Sequence, residues 1–277
     1  MTMMTTTAMT IEAYAKVNLT LEVFGVRGDG YHALRSLVVP ISLSDTLEIA
    51  PSAALSSDTG YDDDLVLKAA RALDPSRGAE IRVTKRIPAG GGLGGGSADA
   101  AAALVALNEF WGLGRSREEL CEIGAQVGSD VPALVHGGPV VMMGRGESVA
   151  RAACPRLELV LVFPGVHTST RDVYAHCSPR DFDAPSATAA CLEAIASGDL
   201  GRIASSFSND LALPACRLHP EIADALSSLR TAGALGVSMS GSGSSVFGLV
   251  ESEGAAQSIA RSLSSKGLSA WAVHTIA

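Results

Sequence analysis

The sequence predicts a mixed α/β or α+β fold in two domains, and three observations carry that expectation. At 277 residues the chain is long enough for one large domain or two ordinary ones. Strand-like and helix-like segments alternate along it without a fixed repeat period. Residues 146–165 pass from a loop into an apolar strand, which places a boundary near Cys154 and separates residues 11–153 from residues 154–277.

Composition narrows the class. Hydrophobic residues make up 47% of the chain and charged residues 18%, so it can bury a core and is not a disordered segment. A net charge of −8 argues against nucleic acid as the main partner, because phosphate-backbone binding needs a basic face. A local basic pocket for a small anion remains allowed. The five cysteines form no CxxC pair, which suggests neither a zinc cluster nor a disulfide framework and points to a reducing compartment. Residues 1–10, MTMMTTTAMT, are read as a disordered polar tail, with neither the charge nor the apolar run of a signal peptide and with Met9 a candidate start. No apolar run is long enough to span a membrane, so a soluble cytoplasmic protein is expected.

The elements follow in order. Residues 15–23 alternate strictly, with Val17, Leu19, Leu21 and Val23 on one face and Lys16, Asn18, Thr20 and Glu22 on the other, the pattern of a half-buried strand. Gly28-Asp29-Gly30 marks a tight connection. Two strands are expected around Leu37–Ile41 and Leu47–Ile49, an exposed loop over 51–63, a helix over 65–73 and a strand over 81–87. Ser97 is read as the N-cap of an alanine-rich helix over about 98–110. Ser116 and Glu119 form a capping box that opens a second helix ending near Gly128. Past the boundary come an extended TSTRDVY segment, a Pro/Asp/Ser loop over 178–187 and helices over 188–196 and 219–232. A Ser/Gly turn before a strand, a helix over 253–266 and a strand over 269–275 close the chain.

Five constellations carry possible chemistry. In Pro88–Ala98, six glycines within seven residues sit between a strand and a helix, freeing the backbone to present several N–H donors beside a helix N-terminus, a cradle for phosphates. Gly90-x-Gly92-x-x-Gly95 formally matches a dinucleotide fingerprint, but almost any frame of a glycine run does so, and no acidic residue ends a strand about 20 residues later. The loop lacks Gly-Lys-Ser/Thr and is not a Walker A loop. Ser240–Ser245 is a second brace for phosphates, a turn that positions an acceptor substrate, or a plain tight turn. Lys16, with Asn18 on the same face, is either a snorkelling surface lysine or an electrostatic clamp on phosphate. Asp130, after a helix end and two residues before Pro132, is either turn chemistry or a base that accepts a hydroxyl proton. Tyr31 and His32 are either ordinary packing or a platform that stacks on and reads a nucleobase. The other histidines show no ligand spacing and are read as structural.

Taken in order, AKVNLTLEVFGVRGDGYHALRSL, IPAGGGLGGGSADAAAAL, GSDVPALVHGG and SGSGSSVF closely resemble the kinases of the GHMP superfamily, from about residue 12 to the C-terminus. The resemblance implies an α+β fold in two domains, an N-terminal ATP-binding domain like the second domain of ribosomal protein S5 and a C-terminal GHMP kinase domain. It further implies ATP-dependent phosphorylation of the 2-hydroxyl of a methylerythritol carrying a cytidine diphosphate, in the non-mevalonate isoprenoid pathway. Carried over by position, Pro88, Ala89, Gly90, Gly91, Gly92, Leu93, Gly94, Gly95, Gly96, Ser97 and Ala98 match the family's ATP-phosphate loop, Lys16 its active-site lysine and Asp130 its active-site aspartate. Tyr31 and His32 match residues that hold the cytosine, Tyr174 a second aromatic against the same ring, and Asn18 and Thr170 the substrate pocket. Mg²⁺ would ride on the ATP phosphates, with no carboxylate ligand assigned and Ser97 a hydroxyl source. Asp64-Leu65-Val66 stands where many members have Asn-Leu-Val, a departure beside the adenine pocket.

The nearest alternative is another small-molecule kinase of the superfamily, of mevalonate or homoserine type, which has no evident use for the Tyr31, His32 and Tyr174 platform. A non-catalytic nucleotide-binding regulator and a dinucleotide-dependent oxidoreductase are the readings from other classes. A monomer or weak homodimer acting on a small molecule, with neither nucleic acid nor membrane as partner, is expected.

Overall fold

The computed structural model describes residues 8–28, 30–180 and 184–277. Residues 1–7 of the expected tail, Asp29 of the expected turn and residues 181–183 of the expected Pro/Asp/Ser loop lie outside the described residues. By packing, the chain forms two compact units that are discontinuous in sequence. One comprises residues up to Ala15 with Leu43–Ile87 and Gly94–Gly137, the other Lys16–Ser42, Pro88–Leu93 and Gly138–Ala277.

The first unit begins with β1 (Met9–Val26) and takes in the second half of β2 (His32–Ala50); both strands run on into the second unit. β1 starts at Met9, inside the stretch read as tail. The two strands expected around Leu37–Ile41 and Leu47–Ile49 are one, because the polar residues between them are paired rather than looped out: Ser44 Oγ donates to Glu12 at 2.5 Å. β3 (Leu55–Ser57) interrupts the expected 51–63 loop, and α1 (Leu65–Leu73) opens on Asp64, whose carboxylate accepts the N–H groups of Val66 and Leu67. β4 (Ala79–Thr84) runs antiparallel to β2, Ile49 facing Ile81, and parallel to β3.

α2 (Gly95–Phe110) starts earlier than the Ser97 cap predicted. Its N-cap is Gly94, left-handed at φ 70°, with no side-chain cap, so Ser97 lies inside the first turn. Buried alanines 98, 100–103 and 106 let α2 approach its neighbours closely. α3 (Arg117–Val127) carries the expected capping box and stops at Gly128; α4 (Val131–His136) is a short helix that the sequence pattern does not announce.

The second unit contains the hairpin β5 (Val140–Gly144) and β6 (Ser148–Arg151), with β5 antiparallel to the first half of β2. β7 (Glu158–Phe163) is followed by α5 (Thr170–Ala175), a helix where TSTRDVY reads as extended; Ser169 caps it by accepting Asp172 N–H. α6 (Ala187–Ser197), α7 (Leu200–Ser206), β8 (Ser208–Asn209), α8 (Ala212–Leu218) and α9 (Pro220–Thr231) lead to β9 (Gly236–Met239), β10 (Val246–Val250), α10 (Glu253–Ser264) and β11 (Ser269–His274). An antiparallel sheet in the order β11-β7-β10-β9 buries Val160, Val162, Val246 and Val250 against Leu229 of α9 and Ala256, Ala260 and Leu263 of α10. Among the described residues no helix is long and apolar enough to cross a membrane.

β1 differs most from expectation. Residues 15–24 are buried on both faces: the polar row Lys16, Asn18, Thr20 and Glu22 is 4%, 2%, 0% and 1% exposed. A buried polar group must be paired, and each of these is. Thr20 shares a hydroxyl hydrogen bond with Thr188 at 2.8 Å. Glu22 accepts the N–H groups of Ala187 and Thr188 and the Ser186 hydroxyl, at the start of α6. Burial pushes the Glu22 carboxyl up, but these bonds outweigh it and hold the group below its usual range.

Glu22→Ala leaves these donors unmatched and is expected to lower the unfolding free energy by about 3 kcal/mol in urea titrations. A loss below about 0.5 kcal/mol would show that α6 is held by other contacts.

Candidate active site

Two groups of residues in the second unit and one in the first hold nearly all the positions singled out above. The first group surrounds Lys16. Its ammonium donates to Asn18 Oδ1 at 2.7 Å and to the Gly92 carbonyl at 3.0 Å, and its backbone N–H donates to the Leu93 carbonyl. Asn18 in turn donates to Ser36 Oγ at 2.7 Å, and Ser36 donates to the Thr20 carbonyl at 2.6 Å. Lys16 and Asn18 thus form one buried chain, and the surface-lysine reading falls.

The Ser240–Ser245 turn packs directly on the glycine run. Ser240 Oγ donates to Gly92 O at 2.9 Å and Ser245 N–H to Gly91 O at 3.0 Å. Gly92 is left-handed at φ 74°, and a Cβ there would run into the Ser240 carbonyl oxygen and lie 2.7 Å from that of Gly243. Glycine is required twice over, by conformation and by approach. Asn209, which no sequence signal marks, holds the turn from behind: its amide donates to the carbonyls of Met239 and Gly241, both at 2.8 Å. The Ser/Gly turn is therefore a brace on the glycine run and not an isolated turn.

The second group is aromatic. The rings of His32 and Tyr174 lie 5.5 Å apart, tilted by 31°. His32 Nδ1 is 3.1 Å from the Phe24 carbonyl, which can only accept, so Nδ1 carries the proton and Nε2 of the neutral ring is an acceptor. Thr170 shares a 2.9 Å hydrogen bond with Ser242, tying α5, which carries Tyr174, to the Ser/Gly turn. Tyr31 is 56% exposed and meets a different partner, the Arg145 guanidinium 5.6 Å from its ring centroid.

The third group, in the first unit, lies where the glycine run enters α2. Gly94, Gly95, Gly96, Ser97 and Ala98 form the N-terminus of that helix, with Ala98 N–H donating to Gly94 O. Its unpaired N–H groups and dipole favour an anion. Asp130 is at the N-cap position of α4 and makes no side-chain cap bond there. The Gly128-Ser129-Asp130 loop runs close to Ser97: a Cβ on Gly128 would be 3.7 Å from Ser97 Oγ. Asp64 acts as the cap of α1 and accepts from the Thr59 hydroxyl as well.

The first unit also holds a charge cluster absent from the sequence reading. Lys85 Nζ is 2.5 Å from both Asp45 Oδ2 and Asp99 Oδ2, and Asp45 also accepts the N–H groups of Arg86 and Ile87. Both carboxylates are buried, Asp45 fully and Asp99 to 3%. Two carboxylates around one ammonium leave a net negative charge, and burial pushes Asp99 up to about 7 against the pull of Lys85. Burial alone would lower Lys85, but its bonds to the two carboxylates raise it. Among the described residues no cluster of His, Cys, Asp or Glu is arranged to hold a metal ion.

Comparison with known proteins places this geometry. The model for the GHMP kinases N terminal domain matches residues 64–138, and that for the GHMP kinases C terminal matches residues 191–268. A 4-diphosphocytidyl-2-C-methyl-D-erythritol kinase of Pelotomaculum thermopropionicum is 43% identical over 265 residues, 91% of this chain and 92% of its own. A crystal structure of a 4-(cytidine 5'-diphospho)-2C-methyl-D-erythritol kinase is 37% identical and matches with a TM-score of 0.85 over 97% of this chain and 100% of that one. A homoserine kinase from Cytophaga hutchinsonii, 21% identical with a TM-score of 0.75 over 100% and 96% of the two chains, shares the fold.

The raised Asp99 carboxyl makes a signed prediction. Its proton is bound more tightly in the folded chain, so that contribution to stability is full below the ordinary carboxylate value near 4 and is lost as pH rises through about 7. Asp99→Asn lacks the titration, so unfolding titrations at pH 5 and pH 8 should show wild type losing ground to the variant at the higher pH. A gap that is constant with pH, or that moves in favour of wild type, would contradict the assignment.

Proposed function

The chain belongs to the 4-diphosphocytidyl-2-C-methyl-D-erythritol kinases of the GHMP kinases, and from that premise we propose that it phosphorylates the 2-hydroxyl of 4-diphosphocytidyl-2-C-methyl-D-erythritol. It is an ATP-dependent phosphotransferase with an alcohol acceptor, of the isoprenoid pathway. The observation that best supports this acceptor is the His32–Tyr174 ring pair, with His32 Nε2 left as an acceptor. Cytosine offers a flat face to such a pair and an exocyclic amine that donates to Nε2. Asn18 and Thr170 complete the acceptor side, and Tyr31 closes it from the surface. A boundary near Cys154 falls between the two matched family domains, which supports 11–153 and 154–277 as functional domains.

Phosphoryl transfer depends mainly on positioning and on charge stabilisation. The backbone N–H groups of Ala89–Ala98, at the N-terminus of α2 and in the loop before it, hold the ATP phosphates. Lys16, fixed by Asn18 and Gly92, places positive charge beside the transferred group. Asp130 orients the 2-hydroxyl and takes its proton; the oxygen bonds to the γ-phosphorus, the bond to the bridging oxygen of ADP breaks, and ADP leaves. Amide N–H groups do not ligate a cation, so Mg²⁺ would be carried in by the nucleotide, whose phosphates supply the hard oxygen ligands the ion prefers, with the Ser97 hydroxyl an oxygen the chain could add. That ion would offset charge on the β- and γ-oxygens.

Asp130→Ala should lower kcat by roughly 10²-fold or more with ATP affinity retained; wild-type turnover would remove Asp130 from this role. His32→Ala should weaken binding of the cytidylyl acceptor about 10-fold or more, with ATP affinity unchanged; equal calorimetric Kd values would refute the platform. The function itself is tested by ADP release with MgATP and the cytidylyl acceptor beside mevalonate and homoserine. Turnover with the cytidylyl acceptor alone is expected. Turnover with another acceptor in its place, or with none, would overturn the proposal.

A further inference from the structure

The glycine run springs from two stems, residues 85–87 at the end of the β4 segment and Gly94–Asp99 at the start of α2. Backbone hydrogen bonds of regular structure do not join them, since β4 ends at Thr84 and α2 begins at Gly95. They are joined instead by charge. Asp45, fully buried on β2, accepts the N–H groups of Arg86 and Ile87 and pairs with Lys85; Lys85 reaches across to Asp99 in the second turn of α2. Gly95 lies against the same point: a Cβ there would be 3.1 Å from Ile87 Cγ2 and 3.6 Å from Lys85 Nζ.

We propose that Asp45, Lys85 and Asp99 form a buried ionic clamp that fixes the distance between the two stems of the glycine loop and so sets its affinity for ATP phosphates. The three are positioning residues, acting through the loop rather than on the nucleotide. The physical case is one of preorganisation. A run of six glycines has the highest backbone entropy of any segment, and a loop that must be ordered at the moment of binding gives up affinity for it. Fixing both ends reduces the conformations open to the span between them. The arrangement is costly to lose, because removing one partner leaves charge stranded in the interior. Among the described residues Asp99 Oδ1 has no hydrogen-bond partner, and Asp99 accepts no backbone N–H of a stem as Asp45 does, so Asp99 is the member whose replacement disturbs the least.

The proposal rests on the glycine loop being the ATP site. Its test is amide hydrogen exchange on the whole wild-type chain and on Asp99→Asn, with and without ATP, alongside calorimetric Kd values for ATP and the KM values of both substrates. The expected result in Asp99→Asn is faster exchange confined to peptides covering residues 86–99 and an ATP Kd raised about 10-fold, with the acceptor KM unchanged. Asp99→Glu, which keeps the carboxylate, should recover most of that affinity. Exchange that is unchanged, or that rises uniformly across the chain, would overturn the clamp, as would an unaltered ATP Kd. Failure of wild type to bind ATP at all would overturn the loop assignment and the affinity half of this proposal, while the exchange comparison would still decide whether the stems are clamped.

Discussion

The Lys16 ammonium is the interaction on which the rest of the second unit's site depends. A lysine exposed by only 4% must be paired, and its partners, Asn18 on the same strand and the Gly92 carbonyl on the glycine run, draw a strand and a loop to one point. The loop is then reached from the other side by the Ser240 hydroxyl, which donates to the same carbonyl. One backbone oxygen accepts from two elements, and Gly92 can hold that position only because it has no Cβ. Adding a side chain there would displace the turn, and the turn carries Ser242, the partner of Thr170.

That arrangement explains how an acidic chain can be built to bind two polyanions. The net charge of −8 belongs to the whole chain, while the second unit holds one buried ammonium against the glycine run and the first unit offers the N-terminus of α2. Such fixed dipoles need little reorganisation when a phosphate arrives. Under the proposed function the aromatic pair supplies what the electrostatics lack, a way to tell one anionic acceptor from another: His32 Nδ1 is set by the Phe24 carbonyl and its ring lies against Tyr174.

Much of this was legible in the sequence because it is local. The glycine run, the alanine-rich helix behind it, the Ser116–Glu119 capping box and the stop at Gly128 are each written within a few residues. Short elements were not: α5 has six residues, too few for a helical period to show. Ser97 reads as a cap by residue type, yet the helix opens on Gly94, whose left-handed backbone needs no side-chain cap. The burial of the polar face of β1 was hidden for a different reason. Thr188, which satisfies Thr20 and Glu22, is more than 160 residues away in sequence. Asp45 and Lys85 are likewise 40 residues apart, and neither looks unusual where it stands. The contact of His32 with Tyr174 joins residues 142 positions apart, and Tyr31 lies against Arg145.

Under the proposed function one chain carries two separate nucleotide sites, a phosphate loop for ATP and an aromatic platform for a cytidine diphosphate. Calorimetric titration of CDP into the protein, first alone and then after saturation with ADP, tests it most directly. Saturable CDP binding is expected in both titrations, with a Kd that ADP does not raise. CDP that fails to bind, or that ADP displaces competitively, would contradict it.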